Sequence, residues 1–322
     1  MGATMTLTHL SIKQDPRKAY FKGKSTPFGR FICIFVPKMR VIGIKEVDFV
    51  VQNLGYAQVV HHWGNKDISS PFVRIYYVIK GRAWLHLPGC DVEATPGHMY
   101  MVPPHVPHDY ECDPGFGFYY LFATPQMRTD IFDLYEFPVE VRSNEAARLL
   151  FENYCSLYPF LHLPSETARA FDQHPAYNDY TAAFRQMQPF ERLQLYGLTL
   201  IIFSYFLKRA CMRNEVADAR MTDLIMYIHN HVNERITVEM LAERACLTKS
   251  YLIRAFKAAL GISPLQFINR KKVQEAQTLL LTTDKSVTEI SHALGVPDES
   301  YFIRMFRKAL GVTPQEYRTQ LR

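Results

Sequence analysis

The sequence predicts an α+β chain with two folded parts: an N-terminal β jelly roll or small barrel followed by helices, and a C-terminal all-α domain. Three observations predict this. Residues 28–125 contain short runs of Val, Ile, Phe and Tyr broken by Gly and Pro, which is typical of short strands joined by frequent turns. Residues 140–213 change to the apolar spacing of helices. The last 88 residues contain one helical unit twice.

The composition excludes several classes of protein. Of 322 residues, 48% are hydrophobic and 21% are charged, which is too apolar for a disordered chain. The six cysteines stand far apart without a CxxC pair, so we expect neither a disulfide framework nor a zinc finger. The N-terminus lacks the layout of a signal peptide, and the most apolar stretch, 198–207, is half the length that a bilayer requires. We therefore expect a cytoplasmic protein that does not contact a membrane.

Seven apolar runs mark the strands of the N-terminal part. Each run ends close to a Gly or a Pro, as expected for strands between tight turns. The predicted strands are Phe31–Val36, Val47–Val51, Ala57–His61, Val73–Ile79, Ala83–Leu87, Met99–Val102 and Phe116–Phe122. We assign residues 1–135 to this β domain.

Two helices are predicted after the β domain, Asn144–Tyr158 and Phe190–Met212, within a helical segment that covers residues 136–213. The second helix is apolar nearly all round, so we expect it to be buried. Two partners stay open at this point: the chain's own barrel, or a second copy of the chain in a homodimer. The polar residues 214–220 are predicted to be the interdomain linker.

The tail repeats itself, because residues 250–264 match residues 300–314 and each copy begins with a Ser-Tyr pair. In each copy a glycine, Gly261 or Gly311, ends one helix, and a hydroxyl residue followed by proline begins the next. Two copies are too few for a solenoid. Residues 221–322 are therefore predicted to form one compact domain with internal pseudo-symmetry.

Each copy has the order helix, tight turn, helix, in which the second helix can enter the major groove of DNA. The short first helices are predicted at Val238–Cys246 and Val287–Leu294. Helical spacing turns three apolar residues of each second helix inward: Leu252, Phe256 and Ala259 in the first copy, and Phe302, Phe306 and Ala309 in the second. The outward residues are the predicted DNA-binding residues: Lys249, Ser250, Ile253, Arg254 and Lys257, and then Glu299, Ser300, Ile303, Arg304, Arg307 and Lys308.

Arg254 and Arg304 occupy matched positions of the two copies, where a bidentate grip on a guanine edge suits them. The flanking cations suit phosphates. An exposed cation on a helix is more often simply solvated, but its recurrence in both copies favours DNA. Residues 235–322 also carry 14 Lys+Arg against 8 Asp+Glu, whereas the rest of the chain carries 23 of each. Such an excess is typical of a domain that meets a polyanion.

One long helix, Pro264–Leu281, is predicted between the two copies. Its length of about 27 Å makes it a strut between them. Such a strut can hold two reading helices about one DNA turn, roughly 34 Å, apart, so that both enter successive major grooves.

Residues 236–318 resemble the C-terminal domain of AraC-type (AraC/XylS) transcriptional regulators, which has two helix-turn-helix units joined by a long helix. The segments that carry the resemblance are 250–257, 276–280 and 300–318. The second copy departs mildly, with Val296 where an aromatic is usual and Ser291 where an alanine is usual. The resemblance implies sequence-specific binding of double-stranded DNA, and dimerisation through helices after the barrel.

The N-terminal motifs Tyr77–Gly81, Pro96-Gly97 and 103–108 resemble a cupin, the barrel that AraC-type regulators commonly carry before their DNA-binding domain. Cupin enzymes usually bind a metal through a His-x-His pair, a Glu and a later His. His108 fits the last position, but Arg74 stands near the place of the carboxylate. The candidates for the His-x-His pair, His61 and His62, are adjacent in sequence. Adjacent residues of a strand point to opposite faces, so both cannot bind one ion from inside the barrel. We therefore predict no metal, no cofactor and no catalysis; a metal-dependent cupin enzyme with an appended helical domain is the alternative.

For a regulator, the interior of the barrel is the natural pocket for a small-molecule effector. The resemblance to sugar-binding members points to Lys80, Tyr110, Phe118 and Tyr120, and the cations Arg74 and Lys80 favour an anionic or hydroxyl-rich ligand. Each of these residues taken singly is more often surface or core than ligand contact. The predicted effector-binding residues are Arg74, Tyr76, Lys80, His86, His108, Tyr110, Phe118 and Tyr120.

The sequence thus predicts a DNA-binding transcription regulator, with activation favoured over repression. Its expected effector is a sugar or another hydroxylated or anionic metabolite. The expected partners are operator DNA, this effector, a second copy of the chain and, for an activator, RNA polymerase. The identity of the effector and of the operator is not predicted.

Overall fold

The computed structural model describes residues 47–126, 131–163, 184, 186–213 and 219–320. The predicted strand Phe31–Val36 lies outside these residues, as do residues 214–218 of the predicted linker. The facts below concern the described part of the chain.

The N-terminal domain consists of antiparallel strands in two main sheets, which confirms the predicted β domain. One sheet has the strand order β1-β8-β3-β6-β10 and the other the order β2-β7-β4-β5, while β9 pairs with β11. The strands are β1 (Phe49–Gln58), β2 (Trp63–Ile68), β3 (Val73–Lys80), β4 (Ala83–Leu87), β5 (Cys90–Ala94), β6 (His98–Val102), β7 (His108–Cys112), β8 (Gly117–Pro125), β9 (Tyr135–Glu136), β10 (Glu140–Arg142) and β11 (Cys211–Met212).

The predicted strands differ from the observed ones in two respects. The runs Val47–Val51 and Ala57–His61 belong to one strand, β1, which continues through Gly55. A Cβ atom at Gly55 would lie 2.2 Å from the hydroxyl of Tyr120 on the paired strand β8, so this glycine makes room for a ring. Strands β2, β5 and β7 were not predicted, because their sequences are largely polar and lack an apolar run. The short strands β9, β10 and β11 were not predicted either, and β11 occupies the end of the predicted helix Phe190–Met212, which was therefore predicted too long.

The five-stranded sheet is covered on its outer face by helices. These are α1 (Ile131–Leu134), α2 (Glu145–Leu157) and α3 (Pro189–Leu207). Aromatic contacts join the layers: the ring of Tyr77 lies 5.9 Å from that of Phe151, and the ring of Phe49 lies 5.1 Å from that of Phe203. Odd-numbered residues of β3 therefore face the helices, while its even-numbered residues face the other sheet.

Helix α3 is buried on one face only, so the expectation of burial all round was wrong. Leu195, Ile202 and Phe206 are fully buried beside the sheet. On the opposite face, Phe190 and Leu193 remain 62% and 69% exposed. Packing against the chain's own barrel, the first of the two partners left open, is thus observed, and an apolar face remains.

The C-terminal domain is all helical, as predicted, and its helix boundaries follow the predicted caps. Ser263 and Ser286 each close a capping box, and Gly261 and Gly311 adopt the left-handed conformation, with φ of 72° and 79°. The helices are α4 (Ala219–Asn230), α5 (Val238–Arg244), α6 (Lys249–Leu260), α7 (Pro264–Thr282), α8 (Val287–Ala293), α9 (Glu299–Leu310) and α10 (Pro314–Gln320).

Two details of this domain depart from expectation. Helix α4 was not predicted and begins inside the predicted linker, although Met221, Leu224 and Ile228 give it a helical stripe of buried residues. In α9 the third inward residue is Met305 rather than Ala309, which was wrongly predicted to pack inside and is exposed.

The two helix-turn-helix units are joined by a buried ammonium group on α7. Lys272 is 4% exposed, and its Nζ donates to the carbonyl oxygens of Val232 (2.8 Å), Glu234 (2.7 Å) and Leu294. The first two precede α5 and the third follows α8, so one side chain connects both units to α7. Burial lowers the pKa of Lys272 to about 8, which still leaves the group charged, with three donors, at neutral pH.

We predict that Lys272→Met destabilises the protein by about 2–4 kcal/mol, because it leaves buried carbonyl groups without their donor. Urea unfolding followed by circular dichroism measures the loss. The matched control is Lys257→Met at an exposed position of α6, which should change the free energy of unfolding by no more than about 0.5 kcal/mol. Equal effects of the two substitutions would contradict the role given to Lys272.

Candidate nucleic-acid interface and effector cavity

The two second helices, α6 and α9, present matched surfaces. Thr248 caps α6 and Asp298 caps α9, each through a side-chain oxygen that accepts from the backbone N–H three residues on. Every predicted DNA-binding residue reaches the surface. Ile253, Glu299 and Ile303 are partly exposed, and the exposed ones are Lys249, Ser250, Arg254, Lys257, Ser300, Arg304, Arg307 and Lys308.

The first residue of each of these helices contacts the preceding helix of its own unit. In the first unit, Nζ of Lys249 forms an ion pair with the carboxylate of Glu239 on α5. In the second unit, the hydroxyl of Thr288 on α8 donates to the carboxylate of Glu299 at 2.5 Å. These contacts link the two helices of each unit on its exposed side, and exposed contacts of this kind contribute about 1 kcal/mol or less.

A tyrosine on each exposed face was not among the predicted site residues. Tyr251 and Tyr301 are 46% and 39% exposed, although large aromatic side chains are usually buried. The guanidinium of Arg254 lies 6.0 Å from the ring centroid of Tyr251, and the amide of Asn269 donates to the hydroxyl of Tyr301 at 3.0 Å. The sequence could have indicated these tyrosines, because the Ser-Tyr pair recurs at the same position of both copies.

A cavity lies between the two main sheets of the barrel. Its free volume is about 30 Å³, close to that of a single water molecule. Three of the eight predicted effector-binding residues line it: Tyr76, Tyr110 and Phe118. The lining residues that sequence reasoning missed are Trp63, Val78, Ala83, Leu85, Ala94, Tyr100, Cys112 and Phe116.

The two predicted cations are not part of this lining. Arg74 is buried, but its guanidinium lies about 5 Å from the rings of Phe72 and Phe122, and its Nη2 donates to the hydroxyl of Ser70 at 2.6 Å. Lys80 is exposed, because the pairing of β3 with β8 shifts between Val78 and Lys80 and breaks the alternation that would turn Lys80 inward.

The other predicted residues also have contacts away from the cavity. The Nδ1 atom of His86 lies 2.9 Å from a carboxylate oxygen of Asp91 on the neighbouring strand. His108 is buried, with Nδ1 3.1 Å from the carbonyl oxygen of Val106, and the hydroxyl of Tyr120 accepts from the backbone N–H of Leu163 at 2.9 Å.

The alternative of a metal-dependent cupin enzyme needs a cluster of ligands. His61 and His62 are both exposed, and within the described ranges no three residues of the types His, Cys, Asp and Glu are placed to hold an ion.

Among the described helices, none has the length and apolarity that crossing a bilayer requires.

The barrel and the C-terminal helices meet at α7. The carboxylate of Asp133, on α1, accepts from Arg270 Nη2 at 3.1 Å and from Nζ of the buried Lys271. On the opposite edge, Nδ1 of His105 lies 3.0 Å from Oε1 of Gln277. A polar cleft of about 410 Å³ opens beside these contacts, between the barrel, α4 and α7. The strut between the two units thus also contacts the barrel.

A β barrel with an internal cavity, followed by two matched helix-turn-helix units, is the architecture of a protein with a ligand-binding domain and a DNA-binding domain. Two family models match the chain, together over more than half of its length. The model of the AraC-like ligand binding domain matches residues 47–174, and a helix-turn-helix domain model matches residues 241–320. The chain belongs to the AraC/XylS family of transcriptional regulators.

Known proteins with similar sequences agree with this assignment. The transcriptional activator RhaS of Escherichia fergusonii is 34% identical over 85 residues, which are 26% of this chain and 31% of that protein. RhaS of Citrobacter koseri is 32% identical over 81 residues. The match thus spans about a third of the length of these relatives, and they are regulators rather than enzymes.

Among solved structures, the DNA-binding domain of AdpA, a global transcriptional factor in complex with a target DNA, is 33% identical. The match covers 30% of this chain and 87% of that one, with a TM-score of 0.29. The C-terminal domain of the response regulator yesN from Fusobacterium nucleatum is 32% identical and covers 30% of this chain and 93% of that one, also with a TM-score of 0.29.

We predict that Glu239→Gln tightens binding to any DNA duplex, because it releases Lys249 from its ion pair and removes a negative charge beside α6. Fluorescence anisotropy with random-sequence duplex measures the change. The control is Glu243→Gln, which makes the same charge change at an exposed position of α5. Equal tightening in both variants would show that net charge alone is responsible and that the ion pair has no role.

Proposed function

We propose that this protein binds an operator with two half-sites through α6 and α9 and regulates transcription in response to a small molecule in its N-terminal barrel. The observation that carries the proposal is the placement of Arg254 and Arg304. Both are exposed at equivalent positions of two structurally matched helices, which is the arrangement required to read two successive grooves. The AdpA domain, similar over this region, was solved on DNA.

The length of α7 supports reading of two grooves. Its 19 residues span about 28 Å, comparable to the roughly 34 Å of one DNA turn. Lys257, Arg307 and Lys308 lie beside the two arginines and are exposed, so they are available to phosphates. We propose that Arg254 and Arg304 read bases and that these three cations position the domain.

The direction of regulation that we propose is activation, since the RhaS relatives are named as activators. An activator works by recruiting RNA polymerase, so the proposal includes that partner. The effector acts through the contacts of the barrel with α7, because Asp133, Arg270 and Lys271 connect α1 to the helix that joins both reading units. A ligand that binds the two arrangements of this contact with different affinity shifts DNA binding.

We also propose a homodimer that uses the exposed apolar face of α3. Phe190, Leu193 and Ile201 are 62%, 69% and 47% exposed along one side of this helix. Leu149 and Leu157 on the neighbouring α2 are about half exposed as well. Exposed apolar side chains that share one side of a helix favour an interface with another protein, and a second copy is the partner that the family resemblance implied.

The DNA-reading proposal predicts two different mutational signatures. Arg254→Ala or Arg304→Ala should lose about 1–3 kcal/mol at the cognate site and relax the preference at one base pair. Lys257→Ala should weaken binding to all sequences and reduce the salt slope by about one. Selection of bound fragments from a random duplex pool provides the operator, and anisotropy titrations at several salt concentrations provide the affinities. Equal losses on operator and random duplex for both arginine variants would refute base reading.

The dimer proposal predicts that Leu193→Glu raises the dimer dissociation constant by about tenfold or more, because it places a charge in a desolvated apolar contact. Analytical ultracentrifugation of the full chain measures the oligomeric state. Leu265→Glu is the matched control, since Leu265 is 49% exposed on α7 and lies outside the proposed interface. A wild-type protein that sediments as a monomer at all concentrations would disprove this interface.

A further inference from the structure

The barrel cavity is lined by aromatic rings. Six of its lining residues are aromatic, namely Trp63, Tyr76, Tyr100, Tyr110, Phe116 and Phe118, and the others are Val, Ala, Leu and Cys. The rings of Phe116 and Phe118 lie 4.9 Å apart, and the ring of Tyr76 meets that of Phe118 edge-on at 5.7 Å. An incoming aromatic ring would find both faces and edges of neighbouring rings to contact.

Charged and amide side chains do not contribute to this lining. Lys80 is exposed outside it, and the guanidinium of Arg74 lies about 5 Å from the stacked rings of Phe72 and Phe122. The hydroxyl of Tyr100 points elsewhere, accepting from the backbone N–H of Thr95 and donating to Glu140, both at 2.9 Å. The cavity thus offers few polar atoms to a ligand.

These observations bear directly on the class of the effector. A sugar buries several hydroxyl groups, and each costs free energy unless the site supplies a hydrogen bond. An anion costs more when it leaves water, and no lining residue carries a positive charge to compensate it. A neutral ring with a single hydroxyl group loses little, because it has one polar group to desolvate.

We infer that the effector is a small neutral aromatic molecule that enters the barrel by displacing the aromatic side chains of the lining; this inference rests on the proposed ligand-responsive function. The free volume of about 30 Å³ is too small for a ring, so binding moves side chains. Trp63 and Tyr76 are the partly exposed rings of the lining, so we expect these two rings to move.

The chain supplies its own reporter for a test. It has two tryptophans, Trp63 in the lining and Trp84, which is 39% exposed and lies outside the lining on β4. Trp84→Phe therefore leaves Trp63 as the sole tryptophan. The full-length W84F protein is titrated with para-cresol, cyclohexanol, benzoate, choline and a panel of monosaccharides, with tryptophan emission and calorimetry as readouts.

The expected result is saturable binding of para-cresol with a change in Trp63 emission, at least tenfold tighter than cyclohexanol or benzoate. Ala94→Leu, which fills the cavity, and Phe118→Leu, which removes a lining ring, should each weaken cresol binding about tenfold. Tyr119→Leu is the matched control, because Tyr119 lies on the opposite face of the same strand, with its ring 5.9 Å from that of Phe151. This variant should bind cresol as the parent does.

Several results would overturn the inference. Binding of a monosaccharide or of choline without binding of cresol would assign another ligand class, and cresol binding that survives both Ala94→Leu and Phe118→Leu would place the ligand elsewhere, for example in the polar cleft beside α7. Absence of binding by all probes would show that the barrel interior is simply packed core. Operator binding by the same preparations is measured in parallel, so failure of the ligand class is distinguished from failure of the proposed DNA-binding function.

Discussion

The geometry of the C-terminal domain depends on how α7 is held between the two helix-turn-helix units. The ammonium group of Lys272 lies where the turn before α5 and the end of α8 come together, and it satisfies carbonyl groups of both. A buried charge is costly unless it is surrounded by such acceptors. Because the same group serves both units, neither can rotate about α7 without exposing an unsatisfied carbonyl. The hydrogen bonds of Lys272 thus connect the two units that carry Arg254 and Arg304 through a buried side chain.

The five-stranded sheet connects two parts of the N-terminal domain, because one face of the sheet contacts helices and the other face lines the cavity. One face contacts α2 and α3 through Tyr77 and Phe49, and the other lines the cavity through Tyr76 and Phe118. A side chain that moves in the cavity therefore acts on strands whose opposite face supports the proposed dimer helix. Asp133, just after β8 in the chain, then contacts α7 through Arg270 and Lys271. Under the proposed function, the five-stranded sheet and α1 therefore connect the cavity both to α3 and to the C-terminal domain.

Local signals in the sequence were sufficient for the helix boundaries of the two helix-turn-helix units, although not for α4. Helix ends at Ser263, Ser286, Gly261 and Gly311 depend on residues within one turn of each other, so their patterns are legible without a structure. The cavity depends on register between distant strands. Alternation along β3 predicts that Lys80 faces inward, but Lys80 follows a shift of register and is exposed. Strands β2 and β7 place Trp63 and Tyr110 in the cavity, but their sequences are polar and contain no apolar run from which a strand could be predicted.

The ion pair between Lys249 and Glu239 and the hydrogen bond between Thr288 and Glu299 occupy equivalent places in two units that are otherwise closely matched. The first residue of one reading helix is thus cationic and that of the other anionic. Under the proposed mode of binding, the two halves of an operator cannot be exchanged, since the groove that accepts a lysine disfavours a glutamate. A single bound chain then has a front and a back along the duplex, and a promoter can specify which way the regulator points.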